Sequence, residues 1–438
     1  MTLQQSQSRA GFIPPPPALS RKMQSPMRAA AAIEPSAFRE LRRRLILEHC
    51  KWDPQVGDVA TLAQFPLLLQ RQEWKQLAGW AEQLTEEALG AEQEILRSPG
   101  LLKELGLPRR LRRAFPASVE PSRSVARIFR FDFHLTTNGW RISESNSDVP
   151  GGYAEASSFA AMMQAHFPQT RSAGDVGECW ADAIASTVSA DECIALISAV
   201  GYMEDQQIVA YLARRLIERG VRAIPARIQD LQWDNGIASL RGNRLGAIVR
   251  FFQGEWLAGL PRSSGWRNLI HGQTPIINPV RAVITESKRF PLLWPKLATN
   301  LPTWRQLLPQ TCDARDVPWQ RGEDWLIKQA FCNTGDSIFA PDLLAGQRWE
   351  QIVKWVRREP RRWVAQRRFT PVPIETPLGP AFPCIGVYTV NGRAAGIYGR
   401  LSTRQIIDFA AIDVAVLIDN AVATTIPRHT EPGVKPSC

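Results

Sequence analysis

Residues 128–134 read Ile-Phe-Arg-Phe-Asp-Phe-His, and such strict alternation of aromatic and charged side chains admits little other than a β-strand with one buried and one polar face. Phe129, Phe131 and Phe133 fall on one side; Arg130, Asp132 and His134 fall on the other. A turn at Thr137, Asn138 and Gly139 follows, then a second extended run over 140–146, so the pair is a hairpin. Register decides its chemistry. A loop of Asn138 and Gly139 alone pairs Asp132 with Ser145 and sends Glu144 to the opposite face. A loop one residue longer, with Gly139 left-handed, pairs Asp132 with Glu144 and Arg130 with Asn146. Only the second arrangement gathers the polar groups.

The chain around this hairpin has 438 residues, 44% of them apolar, enough for two or three packed units and incompatible with disorder throughout. Even the most apolar stretch, 412–426, is broken by Asp413, Asp419 and Asn420, well short of the roughly 18 apolar residues of a membrane span. Seven cysteines at 50, 179, 193, 312, 332, 384 and 438 form no Cys-x-x-Cys pair, which argues for reduced thiols in the cytoplasm and against a zinc module. The histidines (His49, His134, His166, His271, His429) show no zincin spacing, and no Gly-x-Ser-x-Gly elbow is present. A net charge of +11 is mostly arginine, clustered at 42–44, 109–113 and 357–362 without interleaved aromatics. It reads as a solvated basic surface suited to anionic ligands rather than to nucleic acid.

The chain divides by pattern. Residues 1–34 form a flexible, acid-poor tail with a proline run at 14–17 and no secretory h-region, with Met23 or Met27 as alternative starts. Residues 35–125 carry apolar positions at helical spacing (Phe38, Leu41, Leu45; Trp74, Leu77, Leu84) and read as a helical layer. The hairpin segment is 126–185. Within 186–277, a strand at 194–198, a helix at 206–219, a strand at 221–225 and another near 247–250 make a small Rossmann-like lobe. No Gly-x-Gly-x-x-Gly or Walker loop occurs. Residues 278–425 read as a larger α+β lobe with a helix near 287–297, strands at 325–328 and 363–366, and a hairpin over 384–390 and 394–400 turned at Asn391 and Gly392; 426–438 is a tail. The fold class is α/β (α+β).

Two carboxylates and an amide oxygen on one face are hard ligands suited to Mg²⁺, and an adjacent arginine suits a phosphoryl group or a carboxylate. Read alone, the same residues also fit a polar edge hairpin with a cross-strand ion pair. The surrounding motifs favour the chemical reading. Arg130-x-Asp132, Glu144-x-Asn146-x-Asp148-x-Pro150, Glu155-Ala156-Ser157, the stretch 204–233, Ser287-Lys288 followed by Leu292-Leu293-Trp294, the Lys328 strand, Gln366, Gly396-Ile397 and Arg400 together resemble the glutathionylspermidine synthase family, over most of residues 70–420. The synthetase portion of that family is a circularly permuted ATP-grasp enzyme, with metal-binding acids ahead of the nucleotide lysines, as in this chain.

The resemblance implies an ATP-grasp fold with a pre-ATP-grasp lobe, and a ligase that phosphorylates a small-molecule carboxylate with ATP before an amine attacks to form an amide. It implies that Asp132, Glu144 and Asn146 hold Mg²⁺, that Arg130 contacts the reacting group, and that Lys288 and Lys328 bind ATP phosphates. Gln366 would lie near the adenine, and Arg400 would face the site. Independently, Lys328 on an apolar strand needs an anionic partner, which ATP supplies; a lysine snorkelling at a strand end is the lesser alternative. The flap expected to cradle phosphate is Asn333-Thr334-Gly335-Asp336-Ser337, where the family pattern is Gly-Arg-Glu-Gly. The loop after the metal motif is Val149-Pro150-Gly151-Gly152-Tyr153 in place of a hydroxyl-rich one. Asp148 and Glu155 could accept the amine proton, or act as structural acids. The alternative function is a nucleotide-binding or scaffold protein of the same fold with altered catalysis.

Overall fold

The computed structural model describes residues 25–420 apart from 57–58, 117–124, 190, 200, 321–323, 332–337 and 345. The expected flap, with Gly335, and the tails at 1–24 and 426–438 lie outside the described residues.

α1 (Pro35–His49) starts with proline at its first position, where no N–H is needed, and buries Phe38, Leu41 and Leu45. α2 (Arg71–Arg97) turns Leu77, Ala81, Leu84, Ala88, Ala91 and Ile95 inward at helical spacing. The hairpin strands are β1 (Ile128–Thr136) and β2 (Gly139–Asn146). β3 (Cys193–Ser198), α3 (Met203–Ile217) and β4 (Arg222–Ala226) form a β-α-β unit whose strands are parallel, and β5 (Asn243–Phe251) lies parallel on the other side of β3. β6 (Trp325–Gln329) and β7 (Trp363–Arg367) pair antiparallel across α4 (Gly346–Arg358). β8 (Phe382–Val390) and β9 (Arg393–Ser402) form the long second hairpin.

The central sheet runs Ile412–Val414, β9, β8, β1, β2. One face, with Phe129, Phe131, Phe133 and Ile142, is fully buried in the core that it shares with α2 and with Trp304, whose ring meets Phe131 edge-on. α2 is tied to the sheet inside this core by a Thr85–Thr389 hydroxyl pair at 2.7 Å. The other face is polar.

Three expectations need correction. The 35–125 region is not purely helical: Leu67–Gln70 is a strand between Met27–Ala29 and Val416–Asp419. Leu67, Leu68 and Leu69 are all buried, so no alternation betrays the strand. Met27–Ala29 in turn removes part of the expected tail. The helix near 287–297 is instead a short turn at Val283–Glu286 and a 3₁₀ stretch at Phe290–Lys296 interrupted by Pro295.

Candidate active site

The β1–β2 register pairs Asp132 with Glu144 and Arg130 with Asn146, as the polar pattern requires, but by another route. The turn is tighter than expected, with Thr136 opposite Gly139, and the extra residue is a bulge at Ser143. The bulge resolves a parity conflict. In a regular strand Trp140, Ile142, Glu144 and Asn146 share one face; with Ser143 inserted, Trp140 and Ile142 stay in the core opposite Leu135 and Phe133, while Glu144 and Asn146 cross to the polar face.

On that face the ladder sets rows of side chains across the sheet. Glu144, Asp132, Gly386 and Tyr398 form one row; Asn146, Arg130 and Tyr388 form the next. Arg130 donates to both oxygens of Asp132, at 2.7 and 2.9 Å, and to the Gly151 carbonyl at 3.2 Å. Gly386 makes this possible, since a Cβ there would stand 2.8 Å from Arg130 Cδ and 3.1 Å from Asp132 Oδ1. Asn146 Nδ2 donates to Asp132 Oδ2 at 3.1 Å, leaving the amide oxygen as the group that could meet a cation.

Two lysines reach the hairpin from outside the sheet. Lys288 places its ammonium 3.0 Å from Glu144, and Lys328, on β6, donates to the Ser143 carbonyl at 3.2 Å. Burial alone would raise the Glu144 carboxyl, but Lys288 and then Lys328 overcome it and hold the group down at about 2. His134 bonds to the Ser143 hydroxyl at 3.0 Å; burial, with Lys328, pushes it down to about 4, so the ring is neutral. Arg400 donates to the Asp408 carbonyl at 2.8 Å, while its Nε is buried with no hydrogen-bond partner.

These groups line a cavity of about 370 Å³. Arg130, Asp132, Glu144, Asn146, Lys328 and Arg400 all face it, and Lys288 stands behind Glu144. Gln366 does not line the cavity itself: on β7, opposite Leu326 and on the face that carries Lys328, its amide donates to Thr311 Oγ1 at 3.0 Å. Asp148 is held by Arg250 and by the Gly254 N–H at 2.7 Å, and Glu155 by Lys51 at 2.6 Å; both acids line the cavity. Among the described residues no three His, Cys, Asp or Glu side chains cluster to hold a metal, so the candidate set is two carboxylates and one amide.

Several cavity residues escape the sequence reading. Burial, reinforced by Asp148, pushes Glu255 up to about 8; burial brings Glu286 to about 7, and burial with Glu204 brings Asp205 to about 7. Glu286 accepts the N–H groups of Ser147 and Asp148 at 2.5 and 3.1 Å, fixing the end of β2. Its proximity in sequence to Lys288 is the one available signal. Lys51 follows a helix and has the look of a surface lysine.

Glu255 yields a pH prediction. Its folded-state proton affinity exceeds that of the unfolded chain, so the native state holds the extra proton between pH 4.5 and about 8, and stability falls as pH rises through that window. Glu255→Gln is expected to melt with the wild type near pH 4.5 and to be more stable by about 1–3 kcal/mol at pH 8.5. Thermal melts at both pH values check this.

Comparison with known proteins bears on the fold and the family. A glutathione synthetase-like effector from Globodera pallida, solved without ligand, superposes with a TM-score of 0.55 at 13% identity, over 81% of this chain and 89% of that one, and so shares the fold. A protein described as a gamma-glutamylcysteine synthetase from Methylobacillus flagellatus KT gives a TM-score of 0.40 at 12% identity, over 72% and 82%. No curated protein matches significantly in sequence. No described helix is long and apolar enough to cross a membrane. The model of the glutathionylspermidine synthase pre-ATP-grasp family matches residues 62–419, a span that takes in both hairpins and both lysines, and the chain belongs to that family.

Proposed function

We propose that this protein is an ATP-grasp ligase in which Mg²⁺-ATP phosphorylates a substrate carboxylate and an amine then displaces phosphate to give an amide, with ADP released. The observation that supports this best is the convergence of Lys288, Lys328, Arg130 and Arg400 around Asp132 and Glu144, with the buried Nε of Arg400 left without an acceptor. A phosphoryl or carboxylate oxygen is the group that three cations lining one cavity, with Lys288 behind Glu144, would select. In this reading 126–185 supplies the metal-binding hairpin, 186–277 the pre-ATP-grasp lobe and 278–425 the ATP-binding lobe.

The donor set fits Mg²⁺: Asp132, Glu144 and the Asn146 amide oxygen are hard ligands, and few protein oxygens are required because phosphates and water complete the shell. When bound, the ion would neutralise charge on the transferring phosphoryl group. Lys288 and Lys328 would hold ATP phosphates from one side. Arg130 and Arg400, carried by the sheet, would orient the reacting carboxylate and phosphoryl oxygens. Gln366, on the β7 face shared with Leu326 and Lys328, would lie near the adenine.

Calorimetric titration tests this reading. Wild-type protein is expected to bind ATP in a Mg²⁺-dependent manner, and Glu144→Ala to weaken that binding by about tenfold or more while Mg²⁺-free binding stays low. A folded wild type that does not bind ATP overturns the proposal. ADP release dependent on an added carboxylate and amine separates a ligase from a nucleotide-binding scaffold.

A further inference from the structure

The segment ahead of residue 62 lies outside the span matched by the family model, yet it supplies part of the cavity wall. α1 ends at Cys50 in the left-handed conformation (φ 58°), and the Lys51 N–H returns to the Leu45 carbonyl at 3.0 Å. This reversal turns Lys51 inward, where it is only 7% exposed. Its ammonium lies 2.6 Å from Glu155, 3.0 Å from Asp53 and 3.5 Å from Asp413.

One of the three carboxylates leads to the reaction centre. Asp413, opposite Arg400 in the ladder, accepts the Tyr398 hydroxyl at 2.6 Å. The Tyr398 ring lies 5.2 Å from the Arg130 guanidinium, which grips both oxygens of Asp132. A tyrosine ring held only at its Cβ swings about its first torsion; pinning the hydroxyl fixes the axis of the ring and so the position of its centroid beside Arg130. Without Lys51, the carboxylates of Asp53, Glu155 and Asp413, with Glu204 nearby, would face one another with Arg400 as the remaining cation beside Asp413, and repulsion would displace Asp413.

We propose that Lys51 is a positioning residue: by fixing Asp413 and through it the Tyr398 ring, it holds the Arg130 guanidinium in the orientation that receives the transferring phosphoryl group. The assignment rests on the ATP-dependent ligase reading above. Its particular content is that a residue outside the family-matched span sets the geometry of the reacting group and leaves nucleotide binding alone.

The test compares the affinity for Mg²⁺-ADP with that for Mg²⁺-ADP plus aluminium fluoride, a stand-in for the transferring phosphoryl group. In the wild type, aluminium fluoride is expected to tighten ADP binding. Lys51→Met is expected to keep Mg²⁺-ADP affinity within about twofold and to lose about tenfold or more of the tightening, with Lys51→Arg recovering it to within about threefold. Tyr398→Phe, which keeps the ring and removes the hydroxyl, is expected to lose a similar factor, and the double variant no more than the larger single loss. A residue that merely ties the N-terminal segment down would lower the melting temperature of Lys51→Met with the tightening intact, and that result overturns the assignment. Should Lys51→Met fail to fold, full tightening in Tyr398→Phe overturns it equally. A wild type that binds Mg²⁺-ADP without tightening overturns this inference alone, whereas one that binds no nucleotide removes the ligase reading as well.

Discussion

Replacing Asp148 by alanine is expected to destabilise the protein by about 3–5 kcal/mol, the largest loss of stability anticipated for a single cavity residue. The Arg250 side chain is fully buried, and its guanidinium meets both carboxylate oxygens of Asp148. Its remaining contacts are neutral carbonyls, those of Phe252, Asn278 and Pro279. Removing the carboxylate therefore leaves an unpaired charge in the interior, and it also takes the acceptor from the Gly254 N–H. Asp148→Asn keeps an oxygen for one of these donors, so about half the loss is expected. The pair matters beyond stability because it joins the end of β2 to β5, and Asn278 holds the same junction through the carbonyls of Ser147 and Asp148 at 2.9 and 3.1 Å. Since Asp148 is one of the charges that raise Glu255 and Glu286, the variant should also let both carboxyls titrate lower. Denaturant melts of the three proteins measure the loss. A cost under about 1 kcal/mol would mean that Asn278 alone holds the junction.

The parts of the site that were legible in the sequence are those where local pattern and tertiary role coincide. Alternating aromatics announced β1, because only a strand can bury Phe129, Phe131 and Phe133 together, and the Asn391–Gly392 turn announced the β8–β9 hairpin. Grouping Asp132 with Glu144 followed from asking which register collects the polar groups. The position of the extra residue did not follow, although the signal was present: Trp140 and Ile142 share parity with Glu144, and no regular strand buries the first two while presenting the third to solvent. Reading the apolar and polar residues of 140–146 as two separate parities would have located the bulge near Ser143.

Other features were hidden for reasons that periodicity cannot overcome. Leu67–Gln70 is covered on both faces, so its leucines carry no period, and its neighbour Val416–Asp419 lies far along the chain. Gln366 was placed by resemblance alone, and the strand that carries it turns its amide toward Thr311. Lys51 and Glu286 are functional candidates only through long-range neighbours: Glu155 and Asp413 for the first, the β2 terminus for the second. Lysine is scarce in this arginine-rich chain, a signal that marks Lys51 as much as Lys288 and Lys328.

Lys328→Met is expected to lower ATP affinity about a hundredfold, equivalent to about 2.7 kcal/mol, while moving the melting temperature by no more than a few degrees. The two readouts separate because the lysine stem and the ammonium do different work. The stem lies on β6, 2% exposed, on the strand face that it shares with Leu326, and methionine replaces it at nearly the same volume. The ammonium reaches the Ser143 carbonyl and the field of Glu144, but Glu144 keeps its closer partner Lys288 when Lys328 is lost, so no buried carboxylate is stranded. Lys288→Met differs on this point. It removes the partner 3.0 Å from Glu144, leaving that buried carboxylate to the more distant charges of Lys328 and Arg130, and should therefore lower both affinity and stability. The contrast discriminates between roles for Lys328. If it is a strut between β6 and the bulge, Lys328→Met loses stability and keeps its nucleotide; if it is a phosphate ligand, the loss falls on ATP. Lys328 lines the cavity with Arg130 and Arg400, so an anionic ligand there would add its attraction to that of Glu144, which is why the loss is expected in binding.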